Sequence, residues 1–167
     1  MHDELTQVDI QKMQEEVDYR IRELRPKLIE DVQTARAFGD LSENYEYKVA
    51  KQEKNRNESR IRYLQNMIRT AHVISADSAE DVVGLFDTIV MFNEKLGKEQ
   101  TIRLVTTLRQ DVLKGLISKE SPVGKALLGR RAGERVLVKV SPELQYHVEI
   151  RSIQKGEDDA SMEISRY

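Results

Sequence analysis

The stretch FGDLSENYEY, residues 38–47, decides how the first half of this chain is read. It holds Gly39 and three carboxylates, Asp40, Glu43 and Glu46, and it separates two long segments of helical periodicity. Upstream, Ile10, Met13, Val17, Ile21, Leu24, Leu28, Val32 and Ala35 follow at steps of three or four, one apolar stripe down one helix. Downstream, Tyr47, Ala50, Asn57, Ile61, Leu64, Ile68 and Ala71 draw a second stripe. Residues facing one another across an antiparallel hairpin have numbers that add to a nearly constant value. Ile10 with Ala71, Met13 with Ile68, Val17 with Leu64 and Leu24 with Asn57 each give 81, while Ile21 with Ile61, Val32 with Ala50 and Ala35 with Tyr47 each give 82. The midpoint falls at Asp40 and Leu41, so the stretch reads as the tip of a helical hairpin. At about 1.5 Å per residue, an arm of roughly thirty residues projects on the order of 45 Å.

Local chemistry qualifies this finger. Pro26 lies inside the first arm, where it removes a backbone donor and crowds the preceding turn, so a kink or an altered hydrogen bond is expected. The second arm is polar toward the tip, in KQEKNRNESR, which places the firm packing near the base around Val17, Ile21, Ile61 and Leu64. At the tip, Gly39 suits a left-handed residue that ends a helix, and Asp40 or Ser42 can cap the next, with Glu43 and Glu46 near the positive end of its dipole. Capping accounts for these acids without any ligand. It does not account for carrying them so far out, and Asp40 and Glu43 are also hard oxygen donors suited to Mg²⁺. Two carboxylates alone make a weak site, so such an ion would be shared with a partner or with phosphates.

Composition narrows the class. Among 167 residues, 39% are hydrophobic and 34% charged, and no apolar run approaches the roughly 20 residues of a bilayer helix. The N-terminus lacks the basic-then-apolar plan of a signal peptide, so a cytoplasmic protein with no membrane partner is expected. With no cysteine, disulfides and thiolate zinc sites are excluded, and the three histidines are scattered. The 27 basic and 29 acidic side chains leave a net charge of −2, so any nucleic-acid contact must be local.

Near residues 71–80 the chain changes character. Only one of eight glycines precedes this point, and short β-branched runs follow it, a switch from helical to strand periodicity. The expected class is α+β in two domains: a coiled-coil hairpin over 1–76, a strand-rich domain over 77–156, and a solvated acidic tail over 157–167. VVGLFDTIVMF, EQTIRLVTTL, RVLVKV and QYHVEIRSI are strand-like, and SPVGKALLG states a short helix with Ser121 as N-cap, Pro122 first and Gly129 past the end.

Two segments carry a family resemblance. GDLSENYEY resembles the pattern G-D-x-x-E-N-x-E-Y, and SPVGKALLG resembles S-P-[IV]-G-x-A-L-L-G, both of the Gre-type transcript cleavage factors of bacterial RNA polymerase, closer to the GreA-like branch. The likeness runs over nearly all of residues 5–153. It implies an FKBP-like second domain that docks on the polymerase through Ser121, Pro122 and Gly124, and a coiled coil that enters the secondary channel. There Asp40 and Glu43 match the acids that help hold a second Mg²⁺, which activates water to cut the 3′ end of a backtracked nascent RNA. Such a protein is no enzyme alone; it stimulates the polymerase's nuclease, holds no ion stably when free, and acts as a monomer. Asn44 and Tyr45 read as positioning groups, and Arg36, Lys48, Lys51, Lys54 and Arg56 as a basic patch toward RNA, with ordinary helix surface as the alternative for each. Gly124, which weakens a helix interior, argues for docking over simple capping.

Other classes remain beside this one: a channel-binding inhibitor of the same fold, a spacer, and a peptidyl-prolyl isomerase. The last is disfavoured because the second half has no Trp and only Phe86, Phe92, Tyr146 and Tyr167 as aromatics. The sequence also departs from the family pattern. The usual T-x-E-G is Thr6, Gln7, Val8, Asp9, and the acidic E-A-D stretch is replaced by TLRQDVLKG.

Overall fold

The computed structural model describes residues 3–39 and 44–165. The chain divides into two compact units, one of Ile10–Ala71 and one of Met1–Asp9 with His72–Tyr167.

In the first unit, helix α1 (Gln7–Tyr19) runs into a five-residue π turn (Arg20–Leu24), then α2 (Arg25–Arg36), and α3 (Tyr45–Thr70) returns. The π turn is the altered hydrogen bond expected at Pro26. Proline offers no N–H to the carbonyl four residues back, so the chain widens by one residue, and the Arg25 N–H reaches back to the Arg20 carbonyl. Asn57 meets this turn from the other arm. Its Nδ2 donates to the Arg20 carbonyl at 3.3 Å, and its Oδ1 accepts from Arg20 Nη1 at 3.0 Å. A buried asparagine in an apolar stripe is thereby satisfied. Arg25 and Glu58 join the arms just beyond the turn, with Nε–Oε1 at 2.7 Å.

Packing is firmest around Met13, Val17, Ile61 and Leu64, all buried, while Ile21 is half-buried and α2 buries only Ala35. Glu16 ties the arms together, bonding Arg20 Nε at 2.8 Å and Arg60 through both carboxylate oxygens at 2.9 and 3.2 Å. Burial pushes the Glu16 carboxyl up, but the Arg60 and Arg20 guanidiniums outweigh it and hold it below its ordinary 4.5.

In the second unit, β1 (Glu4–Leu5) pairs in parallel with β2 (His72–Val73). The main sheet contains β3 (Thr88–Asn93), β4 (Lys98–Val105), β5 (Leu116–Ser118), β6 (Arg135–Lys139) and β7 (Gln145–Gln154) in the order β5-β4-β3-β7-β6. It is antiparallel except for the β4–β5 pair. Ile89, Met91, Ile102, Leu104, Val136, Val138, Val148 and Ile150 form its buried side, and helix α4 (Pro122–Leu127) adds Leu127 to that core. The first strand begins only at Thr88. Buried Asp87 draws the Gly84 and Gly156 N–H groups at 2.7 and 3.0 Å and the Lys155 ammonium at 2.5 Å, which bends residues 84–87 away from strand geometry.

Residues 3–9 group with the sheet unit, and hydrogen bonds and charge tie them to distant parts of it. Thr6 and Asp9 form a capping box on α1: the Asp9 N–H reaches Thr6 Oγ1 at 3.3 Å and the Thr6 N–H reaches Asp9 Oδ2 at 3.0 Å. The other oxygen of Asp9 accepts from Arg109 Nε at 2.7 Å, and Arg109 Nη1 bonds Asp158 at 2.5 Å. The Arg109 side chain is 0% exposed. Asp158 also accepts from the Thr6 hydroxyl at 2.6 Å, and Met162 packs on Leu85, Phe86 and Val105. The segment expected as a solvated tail is thus anchored at both residues, since a buried guanidinium needs carboxylate partners.

Arg109→Met should lower unfolding stability by about 3–5 kcal/mol in urea melts, because Asp9 and Asp158 would remain without their cation. A shift under about 1 kcal/mol would show that the network is dispensable. For Glu16 the folded pKa is depressed, so its contribution is complete above the unfolded value of about 4.5 and is lost as pH falls through the lower folded value. Glu16→Gln should therefore cost about 1–3 kcal/mol at pH 7. That gap from the parent protein should close on acidification below pH 4.5.

Candidate functional site at the hairpin tip

Asp40 and Glu43, the acids expected to bind metal, lie outside the described residues, as does Ser42. What is described is the frame on either side of them. Helix α2 ends at Arg36, Gly39 has φ +119°, and α3 begins at Tyr45. The cap of α3 is Asn44, not Asp40 or Ser42. Its Oδ1 accepts from the Tyr47 N–H at 3.0 Å, and its Nδ2 donates to the Ala35 carbonyl at 2.7 Å. One amide therefore starts the second helix and fastens it to the end of the first, bracketing residues 37–43. The sequence signal was present, since asparagine is among the best N-caps, but the acids nearby compete for the same role.

Three side chains meet one turn further on. The Arg36 guanidinium lies 5.6 Å from the centre of the Tyr47 ring and the Lys51 ammonium 6.0 Å from it. Arg36 also donates to the Tyr47 hydroxyl at 3.5 Å, a long contact. The Arg36 hydrogen bond, with the nearby charges of Lys51 and Lys54, lowers the Tyr47 phenol below its ordinary 10.0. Sequence periodicity places Tyr47 opposite Ala35 as a packing residue and misses the two cations that lie against its ring. Of the other basic residues, Lys48 is exposed, Lys54 is half-buried, and Arg56 pairs with Glu53 at 2.9 Å. Tyr45 is 77% exposed. Among the described residues, no three His, Asp or Glu side chains converge as a metal site.

Helix α4 follows its sequence closely. Ser121 Oγ accepts from the Gly124 N–H at 3.0 Å and donates to the Ser118 carbonyl at 2.7 Å, with Pro122 leading the helix. Gly124 has a packing reason: a Cβ there would lie 2.2 Å from the Ser118 carbonyl oxygen and 2.8 Å from Lys119 Cα. This close approach accounts for a glycine at position 124 by packing alone, so the residue type is no argument for the docking role expected of it. Pro122 is exposed and Gly124 buried.

Family models match both units, the transcription elongation factor N-terminal domain over residues 4–73 and the GreA/GreB C-terminal domain over residues 77–155. The chain belongs to the GreA/GreB family of transcription elongation factors. It is 41% identical to the transcription elongation factor GreA of Geobacillus kaustophilus over 135 residues, covering 80% of this chain and 85% of that one. Against GreA of Oenococcus oeni it is 39% identical over 153 residues, covering 91% and 94%. The crystal structure of GreA factor homolog 1 of Thermus thermophilus aligns with 93% of this chain and 100% of its own, at 25% identity and a TM-score of 0.43, a superposition that leaves the assignment to the family match. The α+β organisation expected of the family, a helical hairpin beside a sheet domain with one short helix, is the one found.

Asn44→Ala removes both the cap and the link to Ala35. Amide exchange at Tyr47 should accelerate about tenfold, and Asn44→Asp, which keeps the acceptor but loses the donor, should fall between. Unchanged exchange in the alanine variant would show that the bracket is held by other contacts.

Proposed function

We propose that this factor binds RNA polymerase through its secondary channel and stimulates the polymerase's own cleavage of backtracked RNA 3′ ends. The observation that carries this reading is the placement of the segment containing Asp40 and Glu43 between two helix ends fastened by Asn44, on a chain of the GreA/GreB family. The two acids fit a shared Mg²⁺ by their chemistry. Both are hard carboxylate donors, and two are too few to hold the ion without further oxygens from polymerase or RNA. When bound, a second Mg²⁺ supplies an activated water and charge stabilisation in phosphodiester hydrolysis. The chain itself contributes the donor oxygens and the frame that presents them. It brings half a site, acts as a monomer in the cytoplasm, and has no hydrolytic activity alone. Docking of the second unit is proposed through the start of α4, where Pro122 is exposed and Ser121 fixes the turn.

The test is cleavage of labelled RNA in a deliberately backtracked elongation complex with Mg²⁺. Short 3′ fragments should appear at least tenfold faster with the protein, and this stimulation should disappear with Asp40→Ala or Glu43→Ala and in the absence of polymerase. Slower elongation without added cleavage would replace this reading with channel inhibition.

A further inference from the structure

Closure of the hairpin accounts for Arg36 against Tyr47 across the arms, but not for Lys51 on the same ring, since Tyr47 and Lys51 share one helix. Four other arginines of this unit, Arg20, Arg25, Arg56 and Arg60, are each paired with a glutamate. Arg36 and Lys51 instead have no carboxylate partner among the described residues and converge on one ring from opposite arms. Drawing two cations together costs repulsion, and exposed cation–π contacts return little stability. Lys54 adds to the same positive field at the phenol. A polyanion would relieve that repulsion, and the cluster lies immediately beyond the bracket formed by Asn44 and Ala35.

We propose that Tyr47 is a positioning residue that holds Arg36 and Lys51 as a pair facing the phosphates of single-stranded RNA. This deepens the function proposed above and rests on it for the identity of that RNA, the extruded 3′ segment. Tyr47 acts through the two cations and contacts no reacting atom. Its ring is occupied by them, so the exposed ring of Tyr45 is the one left open to a base. The important element is the ring more than the hydroxyl, because the Arg36 contact to the oxygen is long.

The experiment measures binding of the full chain to a fluorescent single-stranded RNA oligonucleotide across a salt series, with parallel cleavage assays on backtracked complexes. For single strands the slope of log affinity against log salt becomes shallower by about 0.7 for each phosphate that is no longer neutralised. Arg36→Ala with Lys51→Ala should flatten the slope by about two phosphates' worth, Tyr47→Leu should do nearly the same with both cations still present, and Tyr47→Phe should retain the parent slope. Adding Tyr47→Leu to the double alanine variant should change nothing further, because the effects share one cause. In cleavage, Tyr47→Leu should slow the saturated rate about fivefold, with Tyr47→Phe within about twofold of the parent. An unchanged slope in Tyr47→Leu, an additive effect in the combined variant, or no RNA binding by the parent protein would overturn the proposal. A parent that binds RNA through this pair yet fails to stimulate cleavage would sink the cleavage reading and leave the positioning role standing.

Discussion

A guanidinium buried from solvent must be given carboxylates, and Arg109 obtains them from two distant parts of the chain. Asp9 comes from the first turn of α1 and Asp158 from beyond the last strand. Thr6 joins the two acidic residues through its hydroxyl, which accepts from the Asp9 N–H and donates to Asp158. The same neighbourhood holds Phe86 in a left-handed conformation, φ +68°, which a buried aromatic adopts only when its surroundings enforce it. They do: its N–H donates to Leu104, its carbonyl accepts from Arg103 Nε, and the Arg109 guanidinium lies 5.3 Å from its ring. The sheet unit is therefore closed by a polar knot as much as by its apolar face.

The hairpin follows an opposite rule along its length. Near its base, apolar side chains interlock and Glu16 adds a partly buried ionic tie. Toward the tip, apolar burial dwindles to Ala35, and the arms are joined instead by Asn44 and by the cations around Tyr47. Polar closure of this kind leaves the described residues nearest the tip charged, which suits the proposed meeting with RNA and a metal and would be a liability in a core.

Legibility in the sequence tracked the range of the interaction. Periodicity and constant residue sums disclosed the hairpin, because an apolar stripe is a local property repeated many times. Ser121, Pro122 and Gly129 marked α4 for the same reason, and Gly129 does take the positive φ of a helix stop, at +80°. The strand β5 and the pair β1 and β2 are two or three residues long, too short for alternation to register. Arg109 with Asp158 could not be read, since the partners are 49 positions apart and each resembles an ordinary surface charge. Two of the departures from the family pattern, at Asp9 and in TLRQDVLKG, look unrelated along the chain; the fold shows that they hold the two halves of one ion pair. At the tip the motif was legible, but the division of labour was not: Asn44 is committed on both sides of its amide, and Tyr47 gathers charge.

The π turn at Arg20–Leu24 makes the lengths of the two arms separable. Deleting one residue there would restore ordinary helical spacing only if Pro26 were also replaced, because its ring would otherwise crowd the carbonyl of the preceding turn. Length and proline are thus a single heritable unit: neither can be lost alone without strain, while both together could be exchanged and leave the alignment around the tip untouched. A lineage of such hairpins can change the number of residues in its first arm and keep the Asn44 link between Ala35 and the start of α3.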